Sequence, residues 1–142
     1  MFTIFKKKKQ KYFIINCNTD SILVNGTPLT FPTDFENLVE IFGKPSRTIN
    51  SSSEYVIWDD YGVSSSLKDD NKIVSINVYQ NINASEYVPK KPYTGTLFFE
   101  EEDITFNEFS KIGLGKIAIH RLGSENETRF GFSLGINNDY KA

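Results

Sequence analysis

The amino-acid sequence predicts an α+β domain in which one or two helices pack on one face of a mostly antiparallel β-sheet. Three patterns point there: short β-branched and aromatic runs parted by turn residues, one stretch of helical apolar spacing at residues 34–42, and a shorter helical stretch at 107–112. Twelve Phe, seven Tyr and 39% hydrophobic residues in a chain of 142 supply enough apolar surface for one core, so a single domain is expected.

Residues 12–16 and 21–24 read as a β-hairpin around Asn18, Thr19 and Asp20. Asn25 and Gly26 then turn the chain toward Leu29, Thr30 and Phe31. The helix follows. Thr33 with Glu36 has capping-box spacing, and Phe35, Leu38, Val39 and Phe42 fall on one face. Gly43 is a left-handed stop, and Pro45 bars continuation. Residues 54–58, 63–67 and 73–79 predict a three-stranded antiparallel meander, with Val74, Ile76 and Val78 facing inward and Ser75 and Asn77 outward. The irregular stretch 81–93, with Pro89 and Pro92, is the expected hinge between halves at 12–80 and 93–136. At an offset of 75, Ile22, Leu29, Thr30 and Phe31 align with Leu97, Ile104, Thr105 and Phe106, so the second half echoes the first. Residues 117–122 and 129–134 close the chain as another hairpin.

The composition argues against several kinds of function. A formal charge of −2 gives no chain-wide attraction to nucleic acid or anionic lipid. The basic run 6–9 follows only a short apolar stretch, which is the wrong order for a secretory signal, and is expected to be a solvated, flexible N-terminal segment spanning residues 1–10. No window is apolar enough to span a membrane. One cysteine, Cys17, forms no internal disulfide and fits a reducing, cytoplasmic setting.

Catalytic chemistry lacks its parts. His120, the one histidine, sits in a strand pattern between Ile119 and Arg121 and reads as an ordinary surface side chain, and no nucleophile motif surrounds any serine. One Cys and one His do not make a zinc site, and the 68–72 turn lacks the ligand spacing of a calcium loop, so no metal or other cofactor is expected. Gly113 to Lys116 departs from the phosphate-loop pattern and reads as a turn. Phe98, Phe99, Phe130 and Phe132 have no basic stripe beside them and are assigned to the core.

Two segments carry a more specific signal. Gly43, Pro45 and Arg47, followed by Trp58, Asp59 and Gly62 and later by Tyr93 and Gly95, resemble an uncharacterised family of small bacterial domains with a Gly-x-Pro-x-Arg helix exit, a Trp-Asp-x-x-Gly strand turn and a Tyr/Phe-x-Gly opening to a second half. The resemblance covers residues 22–119. It implies a partner of polymorphic toxins, including those of contact-dependent and type VI secretion systems, and hence an immunity role in the cytoplasm. The motif itself reads as structural: Trp58 fills a sheet–helix interface, Asp59 accepts turn amides or pairs with Arg47, and Gly62 permits a positive φ.

The expectation is therefore an immunity protein, not an enzyme, that occludes or distorts the active site of a cognate protein toxin. Candidate contacts are the acidic run Glu100, Glu101, Glu102 and Asp103, the turn residues Asp69 and Asp70, and the aromatics Tyr61 and Tyr79. The alternatives are a ligand-binding or enzymatic domain using carboxylates in a cleft between the halves, and an adaptor subunit of a secretion apparatus. Oligomeric state is not encoded in any of these patterns.

Overall fold

A computed structural model describes residues 13–51, 53–67, 72–82, 87–123 and 130–140. The elements run β1 (Ile14–Asn18), β2 (Ser21–Val24), β3 (Thr27–Pro28), β4 (Thr33–Asp34), α1 (Phe35–Phe42), β5 (Arg47–Asn50), β6 (Glu54–Trp58), β7 (Val63–Leu67), β8 (Lys72–Ile73), β9 (Ser75–Asn81), β10 (Thr96–Phe99), β11 (Glu102–Asp103), β12 (Lys111–Leu114), β13 (Ile117–Leu122) and β14 (Phe130–Ile136).

This order overturns the α+β expectation. Among the described residues the fold is mostly β, in three sheets, with α1 as its one helix. A five-stranded sheet runs β11-β10-β1-β2-β3, a seven-stranded sheet β12-β13-β14-β9-β7-β6-β5, and β4 pairs with β8. The helix expected at 107–112 does not form. Its spacing offered only Phe109 and Ile112, too little apolar face for an isolated turn or two of helix. Instead Lys111–Leu114 pairs antiparallel with β13, setting Ile112 opposite Ile119 and Leu114 opposite Ile117.

The helix at 35–42 forms with a different start. Thr33 belongs to β4 and accepts from the Asn37 amide at 3.0 Å, while Asp34 is the N-cap and makes no side-chain cap bond. Gly43 ends the helix at φ 86 and ψ −173, a region that glycine alone occupies readily.

The 54–79 meander forms as β6, β7 and β9, and the hairpins β1–β2 and β13–β14 pair antiparallel. The tips at 68–71 and 124–129 and the basic N-terminal segment lie outside the described residues. Inward side chains of both large sheets meet in one cluster: Ile15, Cys17, Ile22, Val24 and Leu97 from one, and Trp58, Val63, Ile76, Val78, Ile119, Phe132 and Leu134 from the other, joined by Leu38 and Phe42 of α1. On the opposite face of the seven-stranded sheet, register sets exposed His120 beside Ser133, Asn77 and Ser64 in one cross-strand row.

Both sheets draw strands from both halves of the chain. β1 lies between two hairpins, antiparallel to β2 and parallel to β10. These hairpins share one register at the offset of 75: Leu23 faces Pro28 and Val24 faces Thr27 in β2–β3, while Phe98 faces Asp103 and Phe99 faces Glu102 in β10–β11. The bond from Leu29 N to Ile22 O likewise has its counterpart from Ile104 N to Leu97 O, each at 2.9 Å. Past this point the halves part, since Phe31 is buried and Phe106 is exposed.

Candidate functional site

The Gly-x-Pro-x-Arg, Trp-Asp-x-x-Gly and Tyr-x-Gly segments converge on one latch. The Trp58 indole donates to the Gly43 carbonyl at 2.7 Å, fastening β6 to the end of α1, and its ring packs 5.5 Å from Phe42. Asp59 N donates to Ser46 Oγ at 2.8 Å. Arg47 grips Asp59 with two donors, Nε to Oδ2 at 2.9 Å and Nη2 to Oδ1 at 3.1 Å, and also reaches the Val88 carbonyl at 3.1 Å. The Lys90 amide donates to Asp59 Oδ1 at 2.9 Å, and the Lys91 amide donates to Asp59 O at 3.0 Å. Burial pushes the Asp59 carboxyl up, but the Arg47 side-chain bond, the Lys90 amide and their charges outweigh it and hold the group below its ordinary value. One carboxylate thus secures both the edge strand β5 and the chain at 88–91.

Gly62 and Gly95 complete the latch by close approach. A Cβ on Gly62, which lies at φ 75, would sit 2.2 Å from Tyr93 N. One on Gly95 would sit 1.9 Å from Phe13 O. The buried Tyr93 hydroxyl donates to the Phe13 carbonyl, and burial raises its pKa. Gly43, Arg47, Trp58, Asp59, Gly62, Tyr93 and Gly95 are each engaged in close packing or internal hydrogen bonding, so these motif residues build the scaffold.

The acidic run lies at the other end of the five-stranded sheet. Glu100 and Glu101 form the two-residue turn of β10–β11, at φ 52 and φ 71. Asn25 and Gly26 take the same place in β2–β3, at φ 48 and φ 84. Two positive φ values are what a tight type I′ hairpin requires; Asn-Gly adopts them readily, whereas each glutamate is strained by about 1 kcal/mol or more. Glu100 accepts from the amide and the hydroxyl of Thr19, both at 3.1 Å, which ties this turn to the β1–β2 turn. Between the two turns is an open cleft of about 460 Å³ lined by Asn16, Cys17, Asn18, Thr19, Asp20, Leu23, Glu100 and Glu101. Burial pushes the Cys17 thiol up to about 12, leaving it protonated and unreactive at neutral pH.

The other candidate residues are placed differently. Asp103 spends its carboxylate on Thr105, accepting from N at 2.9 Å and from Oγ1 at 2.6 Å, whereas Glu102 is exposed beside it. Tyr61 is half-buried and meets Phe13 edge-on at 4.8 Å. Tyr79 is half-buried in β9 of the seven-stranded sheet, whereas β10 and β11 belong to the five-stranded sheet. Asp69 and Asp70 lie outside the described residues. The structure therefore brings Glu100, Glu101 and Glu102 together at one turn and does not join Tyr61 or Tyr79 to them.

One element escaped the sequence reading. The turn at 104–107 is gripped from behind by Arg121, whose Nη2 lies 3.2 Å from the carbonyl of Ile104, 3.0 Å from that of Thr105 and 2.8 Å from that of Asn107, with Nε 3.1 Å from Asn107 O. Its guanidinium stacks over Phe109 and Phe130 at 4.8 and 4.6 Å. An arginine within a strand pattern gives no sequence signal of such a role.

Together the latch, the shared core and the carboxylate turn define a mostly β domain, built around two large sheets, that holds acidic side chains on a hairpin turn. Among the described residues no group of three His, Cys, Asp or Glu could hold a metal ion, and no helix is long and apolar enough to cross a membrane. Residues 14–114 match a family described as a domain of unknown function, DUF7738, and the chain belongs to that family. No curated protein and no solved structure matches it.

Proposed function

We propose that the chain is an immunity protein that neutralises a cognate bacterial toxin in the cytoplasm by binding it, with the Glu100-Glu101 turn and Glu102 as the acidic part of the contact. The observation that carries this reading is the strained turn. Backbone strain that a glycine would relieve is kept at a turn where Glu100 binds Thr19 and Glu101 presents its carboxylate to solvent, and strain of this kind collects at functional sites. A negative turn on a rigid sheet steers a basic partner and raises its association rate without a reactive group. Toxins that bind phosphate-rich substrates carry such basic surfaces, so occlusion of a basic active site is the mode this geometry serves best.

The test is co-expression with the neighbouring gene, scored for rescue from toxicity and for a complex that survives purification. Exchanging Glu101 and Glu102 for lysine should abolish both. Failure of the unaltered chain to give either rescue or complex would remove the proposal. A second reading is a small-ligand domain, and the cleft between the two turns is the observation that favours it. Turnover of a substrate, lost on changing Asp20 or Glu100, would favour it.

A further inference from the structure

We infer that Phe106 is the apolar anchor of the partner interface, a ring that inserts into an apolar pocket on a basic protein surface. The inference rests on the immunity reading and specifies its contact. Phe106 is 58% exposed, the most of any large hydrophobic side chain among the described residues, and it lies on the turn that follows the acidic hairpin. Its ring stacks on Phe130, with planes 9° apart and centroids 6.4 Å apart, and Phe130 is itself fully buried. One ring face is thus fixed to the core, and much of the side chain is open to solvent.

The backbone beneath it is held as firmly. Arg121 takes the carbonyls of Ile104, Thr105 and Asn107; the buried Gln80 amide donates to Thr105 O at 2.8 Å; Asp103 caps Thr105; and Leu97 N donates to Thr105 Oγ1 at 2.9 Å. A turn whose polar groups are engaged from behind, with an aromatic ring directed outward, has little conformational entropy left to lose on binding. That is the physical character of an interface hot spot, an aromatic anchor on a rigid support. Exposed Glu101, Glu102 and Glu108 lie on the same stretch of chain, and this charge selects a partner with a basic rim around the pocket over a nucleic acid or a second copy of this acidic chain.

The experiment uses the full chain and the purified product of the neighbouring gene, taken forward once that product proves toxic when expressed alone. Calorimetry on the unaltered chain, Phe106→Ala and a control, Tyr87→Ala, should show binding weakened by about 30-fold or more for Phe106→Ala, mainly through faster dissociation, and within about twofold for the control. The melting temperature of Phe106→Ala reports whether it remains folded. Hydrogen exchange of the unaltered chain, free and in complex, gives a readout independent of that variant, and residues 102–109 should be protected in the complex. A complex that forms with Phe106→Ala at unchanged affinity, or that leaves 102–109 unprotected, overturns the inference while the immunity reading stands. A toxin that the unaltered chain neither binds nor neutralises removes both. A homodimer that sediments as such and is dissolved by Phe106→Ala would also overturn it, by giving the ring to a second copy.

Discussion

Asn25 and Glu100 occupy the same position in two hairpins of identical register, and both lie at positive φ, 48 for Asn25 and 52 for Glu100. Asparagine tolerates this conformation through its short polar side chain, whereas glutamate has no such relief. The residues that follow sharpen the contrast, since Gly26 meets no penalty where Glu101, at φ 71, does.

Glu101→Gly should therefore stabilise the isolated protein by about 0.5–1 kcal/mol, because relief of the left-handed strain exceeds the added entropy of the unfolded chain. Urea denaturation measures this as a higher midpoint at unchanged slope. If the proposed immunity contact holds, the same substitution should weaken toxin binding. A variant that is no more stable than the parent would show that the turn carries no strain to relieve.

Asp59→Asn should destabilise the fold by about 2–3 kcal/mol, since it leaves the partly buried Arg47 guanidinium without its charged acceptor. The pH dependence has a defined sign. The folded Asp59 titrates below its ordinary value of 3.8, so its contribution is fully present above that pH and is lost as pH falls through the folded value. Melting temperatures measured from pH 7 downward should show the parent losing part of its stability advantage over Asp59→Asn in the acid range. A constant difference at every pH would show that the ion pair is not the source.

The sequence was informative wherever stability is local. The alternation of β9, the turn at Asn25-Gly26 and the Trp58–Asp59–Gly62 roles follow from side-chain periodicity, backbone freedom and short-range pairing. The parallel pairing of β1 with β10 is different, because it joins residues about eighty positions apart and leaves no mark on either strand alone. The fold class went astray for a related reason: the weak helical spacing of Phe109 and Ile112 was outcompeted by the ladder to β13, which only the folded chain assembles. At the candidate site, the charges of the acidic run were plain, but not which were already engaged. Asp103 turned out to cap Thr105 and Glu100 to bind Thr19, leaving Glu101 and Glu102 as the outward pair.

Cys17 should resist modification in the native protein. It is 3% exposed, and its thiol is shifted up to about 12, so the thiolate that reacts with disulfide reagents is scarce at pH 7–8. Labelling with a chromogenic disulfide should be slow without denaturant and complete in seconds to minutes in concentrated urea. Cleft-lining though it is, rapid native labelling would place the sulfur in solvent and contradict the burial found here.

Arg121→Lys tests whether the 104–107 turn is held by a planar fork or by charge alone. Lysine keeps the positive charge but offers one ammonium where the guanidinium spans the carbonyls of Ile104, Thr105, Asn107 and Gly131 and the side-chain oxygen of Gln80. It also loses the flat surface that stacks on Phe109 and Phe130. The substitution should cost about 2 kcal/mol or more in unfolding free energy, because several carbonyls on this partly buried turn lose their donors together. Hydrogen exchange should rise selectively at 104–110, while the latch around Asp59, built on other strands, should keep its protection. If exchange rose equally at both places, Arg121 would be supporting the whole fold, and the turn would not be the separately braced unit that its hydrogen bonds describe.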